Sequence, residues 1–169
     1  MRTEIKQIIG INIRTLREGL GLSQLEFSNI VGISRASLIN IESGKTGYNI
    51  NLLDNILTFS NYKLQDLSTQ IFHVPNDLRD KLANLYKKNP SIYTLLNRKP
   101  SIVYAINYKL LPSSFLDSPK EINEIKSFFE NLKWSFNGPS IQNALKRMPE
   151  HIIIQKHITK KNTYLYSKR

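Results

Sequence analysis

The stretch LSQLEFSNIVGISRASLINIESGK, residues 22–45, decides how the chain folds. It holds two short helical segments, each with its own start and stop signals. Ser23 caps the first, and Glu26 follows at the spacing where a serine and a glutamate satisfy each other's backbone amides. Leu25, Phe27, Ile30 and Val31 give that helix its apolar side. Gly32 stops it, because a residue without Cβ can turn the chain at positive φ. Ser34 caps the second helix, in which Leu38 and Ile41 point inward, and Ser43-Gly44 closes it.

The flanks extend the same pattern. Upstream, Ile5, Ile9, Ile13, Leu16 and Leu20 recur at spacings of three and four, which predicts an amphipathic helix over 4–17 ended by Gly19 and Gly21. Downstream, a fourth helix over 49–60 carries Leu52, Leu53, Ile56, Leu57 and Phe59, and a short fifth covers 63–67. Five tightly joined helices make residues 1–70 a compact all-α domain.

A major groove about 12 Å wide admits one helix, provided a second helix braces it across the backbone. Leu25, Ile30, Val31, Ile33, Leu38 and Ile41 are expected to seal such a pair against the first and fourth helices. The opposite face of the third helix then presents Ser34, Arg35, Ala36, Ile39 and Asn40. Arg35 can bond bidentately to guanine and Asn40 to adenine, while Ala36 and Ile39 can meet thymine methyl groups. Shifting the helical phase by one residue would instead bury Ile39, and Ser34 can equally serve as a cap alone.

Gln24, Gly32-Ile33-Ser34 and Glu42-x-Gly44-Lys45 together make residues 5–67 resemble the Cro/CI-type (XRE-like) helix-turn-helix DNA-binding family. The resemblance implies that Ser23 and Gln24 lie at phosphates, helped by the amides of the second helix's N-terminus. It likewise sets Lys45 and Thr46 beside a phosphate after the third helix, and pairs Arg17 with Glu42 as a structural link. Two glycine-containing segments point elsewhere and fail. Gly44-Lys45-Thr46 lacks the upstream glycine of a phosphate-binding loop, since position 39 is Ile, and Gly19-Leu20-Gly21 follows a helix rather than a strand.

Residues 71–76, with Pro75, read as a linker to a second domain over 77–169. Helices are expected over 77–88, with Leu78, Leu82 and Leu85 on one face, and after Pro90 and Pro100. Two prolines and three serines mark 111–119 as a loop. A helix over 119–134, a turn at 137–140 and a helix over 141–148 come next. β-Branched and aromatic residues at 151–158 and 163–167 then predict a terminal hairpin. That order is winged-helix-like. The expected fold is therefore mainly α, a five-helix helix-turn-helix domain followed by an α+β domain.

Charge separates the halves. The formal charge is +11, with seven Lys/Arg against six Asp/Glu in residues 1–70 and seventeen against seven in 71–169. Such an excess suits a polyanion, because each cation placed on a phosphate releases condensed counterions. Ser140, Gln142, Asn143, Lys146 and Arg147 would lie on a second reading helix, with Lys156, Lys160, Lys161, Lys168 and Arg169 reaching phosphates from the hairpin and tail. Equally, the hairpin edge can dimerise or dock a protein partner.

Enzymatic readings find little. His73, His151 and His157 have no metal-type spacing with other ligands, no paired carboxylate or Ser-His-Asp order stands out, and no cofactor is implied. The absence of cysteine removes disulfides and thiolate metal sites and fits a cytoplasmic protein. The first six residues lack a signal peptide's apolar core, and no apolar run nears the roughly 18 residues that cross a bilayer. The sequence thus predicts a homodimeric regulator, read as a repressor, that binds double-stranded DNA. The alternative is an antitoxin-like regulator whose second half holds a protein.

Overall fold

The computed structural model describes residues 4–45 and 49–169, and the chain divides into two compact units, Met1–Arg98 and Lys99–Arg169. The first contains seven helices among its described residues: α1 (Ile5–Gly19), α2 (Gln24–Val31), α3 (Arg35–Ser43), α4 (Ile50–Ser60), α5 (Leu64–Leu67), α6 (Leu78–Leu85) and α7 (Pro90–Asn97). Its core is the periodic set expected of α1, Ile9, Ile13, Leu16 and Leu20, together with Phe27, Val31, Ile33, Leu38, Ile41, Leu53, Ile56 and Phe59. Each such side chain contributes on the order of 1.5–3 kcal/mol by leaving water. Asn12, buried on α1, donates to the Leu67 and Thr69 carbonyls at 2.9 and 2.8 Å, and so fastens α5 to α1.

The boundary expected at 71–76 moves to residue 98, and packing explains the shift. Phe72 and Val74 lie half-buried on the first core, and Leu78, Leu82, Ala83 and Leu96 belong to it. Tyr86 stacks on Phe59 with ring centres 5.4 Å apart, and its hydroxyl donates to the Phe59 carbonyl at 2.9 Å. Arg79 is buried at 2% exposure. Its guanidinium donates to the carbonyls of Leu96 at 2.8 Å, Arg98 at 3.0 Å, Leu95 at 3.2 Å and also Leu20, so one cation ties the end of α7 to the end of α1. Three apolar residues depart from expectation. Leu25, Leu85 and Ile5 are exposed, at 54, 61 and 57%. The inward positions of α2 fall at Phe27, Ser28 and Val31 instead.

The second unit opens with α8 (Ile102–Ala105), which runs on as a π-helical turn over Ile106–Leu110. Pro100 precedes its cap, Ser101, rather than sitting in its first turn. A 3-10 turn at Phe115–Asp117 and a two-residue strand, β1 (Lys120–Glu121), follow, and sequence reading anticipated neither within its loop and helix. Then come α9 (Ile122–Asn131), α10 (Gly138–Lys146), β2 (Ile152–Lys156) and β3 (Tyr164–Lys168). The hairpin is antiparallel, with Ile154 opposite Tyr166, and β1 adds to the outer side of β3 in the order β1-β3-β2. Ile106, Leu110, Leu116, Ile125, Phe129, Ile141, Leu145 and Tyr166 fill the core between helices and sheet.

Candidate nucleic-acid interface

The third helix is short, and its geometry depends on how its ends are held. At nine residues it is below the roughly 12–15 at which an isolated helix is even marginally stable. Gly32 ends α2 in the left-handed region at φ 68°, and the Ile33 amide returns to the Ser28 carbonyl at 3.0 Å. Ile33 is buried, and Ser34 caps α3 by accepting from the Ser37 amide at 3.0 Å. Gly44, at φ 60°, closes the other end.

The far end is clamped by α1 and by the start of α2. Arg17 of α1 donates from Nε to Glu42 Oε1 at 2.6 Å and from Nη2 to Glu42 Oε2 at 3.0 Å, as the family resemblance implied. Its third nitrogen, Nη1, donates to the Leu22 carbonyl at 3.0 Å. Gln24 Nε2 donates to the same Glu42 Oε2 at 3.0 Å, so the first residue of α2 joins the clamp. Gly10, which sequence reading passed over, lets α1 approach closely. A Cβ there would collide with the Ile41 carbonyl and lie 3.1 Å from that of Glu42. A lone glycine within a helical pattern was the available signal.

With Leu38 and Ile41 fully buried, the opposite face of α3 is open. Ser34, Arg35, Ala36 and Asn40 are exposed, and Ile39 is 42% exposed, so the helical phase is the one that turns it outward. Ser23 is exposed at the start of α2, Gln24 is half-buried, and Lys45 is exposed just beyond α3. Thr46 lies outside the described residues.

Ser23 and Glu26 form the anticipated reciprocal cap, the Ser23 amide donating to Glu26 Oε2 at 2.8 Å and the Glu26 amide to Ser23 Oγ at 3.3 Å. Arg98 also reaches Glu26 Oε1, a link across 72 residues that no local pattern announces. Partial burial pushes the Glu26 carboxyl up, but the Ser23 amide and hydroxyl and the Arg98 guanidinium outweigh it and hold the group below its ordinary 4.5.

In the second unit, α10 buries Ile141, Ala144 and Leu145. Asn143, Lys146 and Arg147 are exposed, and Ser140 and Gln142 are half-buried. Lys156, Lys160, Lys161, Lys168 and Arg169 are exposed along the hairpin, and Lys160 pairs with Glu121 at the start of α9. Among the described residues no group of three or more His, Asp or Glu could hold a metal ion, and no helix is long and apolar enough to cross a membrane.

Comparison with known proteins finds a domain-family match within the first unit. The antitoxin PezA of Streptococcus pneumoniae serotype 4 is 43% identical over 60 residues, which covers 36% of this chain and 38% of that protein. No solved structure matches the chain significantly. The helix-turn-helix domain family matches residues 10–91, running past the expected linker and through α6 to the start of α7. Residues 10–91 of this chain match the helix-turn-helix domain family, and the match stops short of the second unit.

Proposed function

We propose that the chain is a sequence-specific regulator that reads the major groove of double-stranded DNA with α3 and represses by occupying its site. The observation that carries this reading is the outward row Arg35, Ala36, Ile39 and Asn40 on a helix whose other side, Leu38 and Ile41, is fully buried. Arg35 supplies a fork for guanine, Asn40 a donor and acceptor for adenine, and Ala36 with Ile39 an apolar strip for thymine methyls. Ser23, Gln24, Ser34, Lys45 and Thr46 attend the phosphates on either side. Such domains act in pairs, so the protein works as a homodimer on a palindrome with half-sites about 34 Å apart.

Selection from random duplexes, followed by titration of Arg35→Ala, tests the reading. The expected loss is about 1–3 kcal/mol with relaxed preference at one base pair. Unchanged affinity and preference would remove α3 as the reading helix.

A second reading is favoured by the similarity to an antitoxin. In it the first unit still binds DNA while the remainder of the chain holds a protein partner. A stoichiometric partner that copurifies with the full chain, and is lost on removing residues 99–169, supports that role. A chain that purifies alone from its host argues against it.

A further inference from the structure

The second unit carries its charge on one part of its fold. Residues 99–130, which include α8, β1 and α9, hold four Lys/Arg and four Asp/Glu. Residues 131–169, which include α10 and the hairpin, hold eight Lys/Arg and a single acid, Glu150. The acids of α9 are moreover engaged, Glu124 with Lys120 at 4.0 Å and Glu130 with Lys126 at 3.5 Å. The cations of α10 and the hairpin are exposed, Lys160 among them pairs with Glu121, and Glu150 is the single acid among their sequence neighbours.

The elements that carry them are built to hold a shape. Six residues join α9 to α10; Lys133 enters the left-handed region at φ 62°, and Asn137 Oδ1 caps α10 by accepting from the Ser140 amide at 2.8 Å. Ile141, Ala144 and Leu145 anchor α10 in the core, leaving Asn143, Lys146 and Arg147 outward. The hairpin loop is also closed on itself. His157 Nδ1 accepts from the Thr159 and Lys160 amides at 3.2 and 3.1 Å, and the His157 amide donates to the Thr163 carbonyl at 2.9 Å. A helix packed on a preceding helix, beside a basic hairpin whose loop is hydrogen-bonded to itself, suits a reader of duplex grooves and backbone.

We propose that residues 99–169 are a second duplex-DNA-binding unit, in which α10 enters a groove and the hairpin lies on the neighbouring phosphates. Asn143 and Arg147 are of the side-chain types that bond base edges, while Lys146, Lys156 and Lys161 neutralise backbone. The hairpin's β-edge is then incidental to a partner, and charge complementarity decides for DNA.

The test uses the full chain and the salt dependence of its affinity for a duplex long enough for both units. Each phosphate contact contributes about 0.9 to the slope of log affinity against log salt. Lys146→Ala with Lys156→Ala is expected to flatten the slope by about two of those increments, and Lys161→Ala, on an exposed loop, by about one. The hydroxyl-radical footprint should shorten in both, whereas Arg35→Ala should change base preference without shortening it. If both the double variant and Lys161→Ala, each with the wild-type circular dichroism, keep the wild-type slope and footprint, the second unit does not touch DNA. A slope change seen on single-stranded RNA but not on duplex DNA would overturn the proposal equally. Because the slope and footprint variants lie in this unit and Arg35→Ala lies in α3, either reading can fail alone.

Discussion

Replacing Glu42 by alanine probes the clamp on which α3 depends. The carboxylate accepts two bonds from Arg17, at 2.6 and 3.0 Å, and one from Gln24 at 3.0 Å. The Arg17 and Glu42 side chains are only 10 and 5% exposed. Without Glu42, the guanidinium keeps the Leu22 carbonyl and a weaker approach to Glu18 at 3.5 Å, whose own side chain is half exposed. Breaking a buried pair from one side costs about 3–5 kcal/mol, and the surviving Glu18 contact places this case near 3. That is a large part of the ~5–15 kcal/mol that holds a domain together. Hydrogen exchange of α1 and α3 amides under mild urea measures the loss directly. Trp134, the sole tryptophan, reports the second unit by fluorescence over the same titration. Arg17→Met with Glu42→Leu should cost less than the two single changes together, because no charge is then stranded. A loss below about 1 kcal/mol for Glu42→Ala, the range of exposed ion pairs, would refute the clamp.

Other perturbations test separate joints of the fold. Gly10→Ala forces a methyl against the Ile41 and Glu42 carbonyls and should destabilise the first unit by about 1–3 kcal/mol, read from its urea midpoint at constant slope. Arg79→Leu removes the donor shared by the carbonyls of Leu20, Leu95, Leu96 and Arg98, and a loss of about 3 kcal/mol or more is expected; a near-neutral result would return the boundary to residues 71–76. Glu26 has a folded pKa below its unfolded 4.5, so its contribution is fully present above that value and lost as pH falls through the folded one. The stability gap between wild type and Glu26→Gln should therefore close on acidification below about 4.5, and a gap that is flat or widens there would contradict the assignment.

Most of the first unit was legible because its signals are local. Caps at Ser23 and Ser34, the glycine stops and the spacing of Leu38 and Ile41 each act within a few residues, and the phase they set for α3 is the one observed. What was not legible acts at a distance. Nothing near Arg79 says that its guanidinium meets Leu20, and nothing near Arg98 points to Glu26, yet these contacts draw 71–98 into the first unit. Pro75 and the polar run around it imitate a linker, although Phe72 and Val74 on either side of His73 pack on the core. β1 escaped notice for another reason. Two residues carry no period, and Lys120 and Glu121 become a strand only because β3 offers them partners in Tyr166 and Leu165. Moving the boundary also redistributes charge, to twelve Lys/Arg against eight Asp/Glu in residues 1–98 and twelve against five in 99–169.

Apart from Gln24 and Ser34, which belong to both, the groups that hold α3 and the groups proposed to face DNA are different residues, and this separates two ways of weakening the protein. Gly10, Arg17, Gln24, Glu42 and Gly44 gather at the C-terminal end of α3, whereas Ser34, Arg35 and Ala36 begin it. Because α3 is too short to persist alone, damage to the clamp lowers the fraction of molecules that present a formed helix. Every sequence then binds more weakly by the same factor, and the order of preference among sequences survives. Damage to the outward face leaves the helix formed and changes that order. Ile39 is the informative position, since it is exposed, takes no part in the clamp and has no side-chain donor for a phosphate. Ile39→Ala should weaken binding where thymine methyls meet it and leave duplexes bearing deoxyuridine at those positions unaffected. An equal loss on both duplexes would mean that Ile39 supports the helix rather than reads the groove.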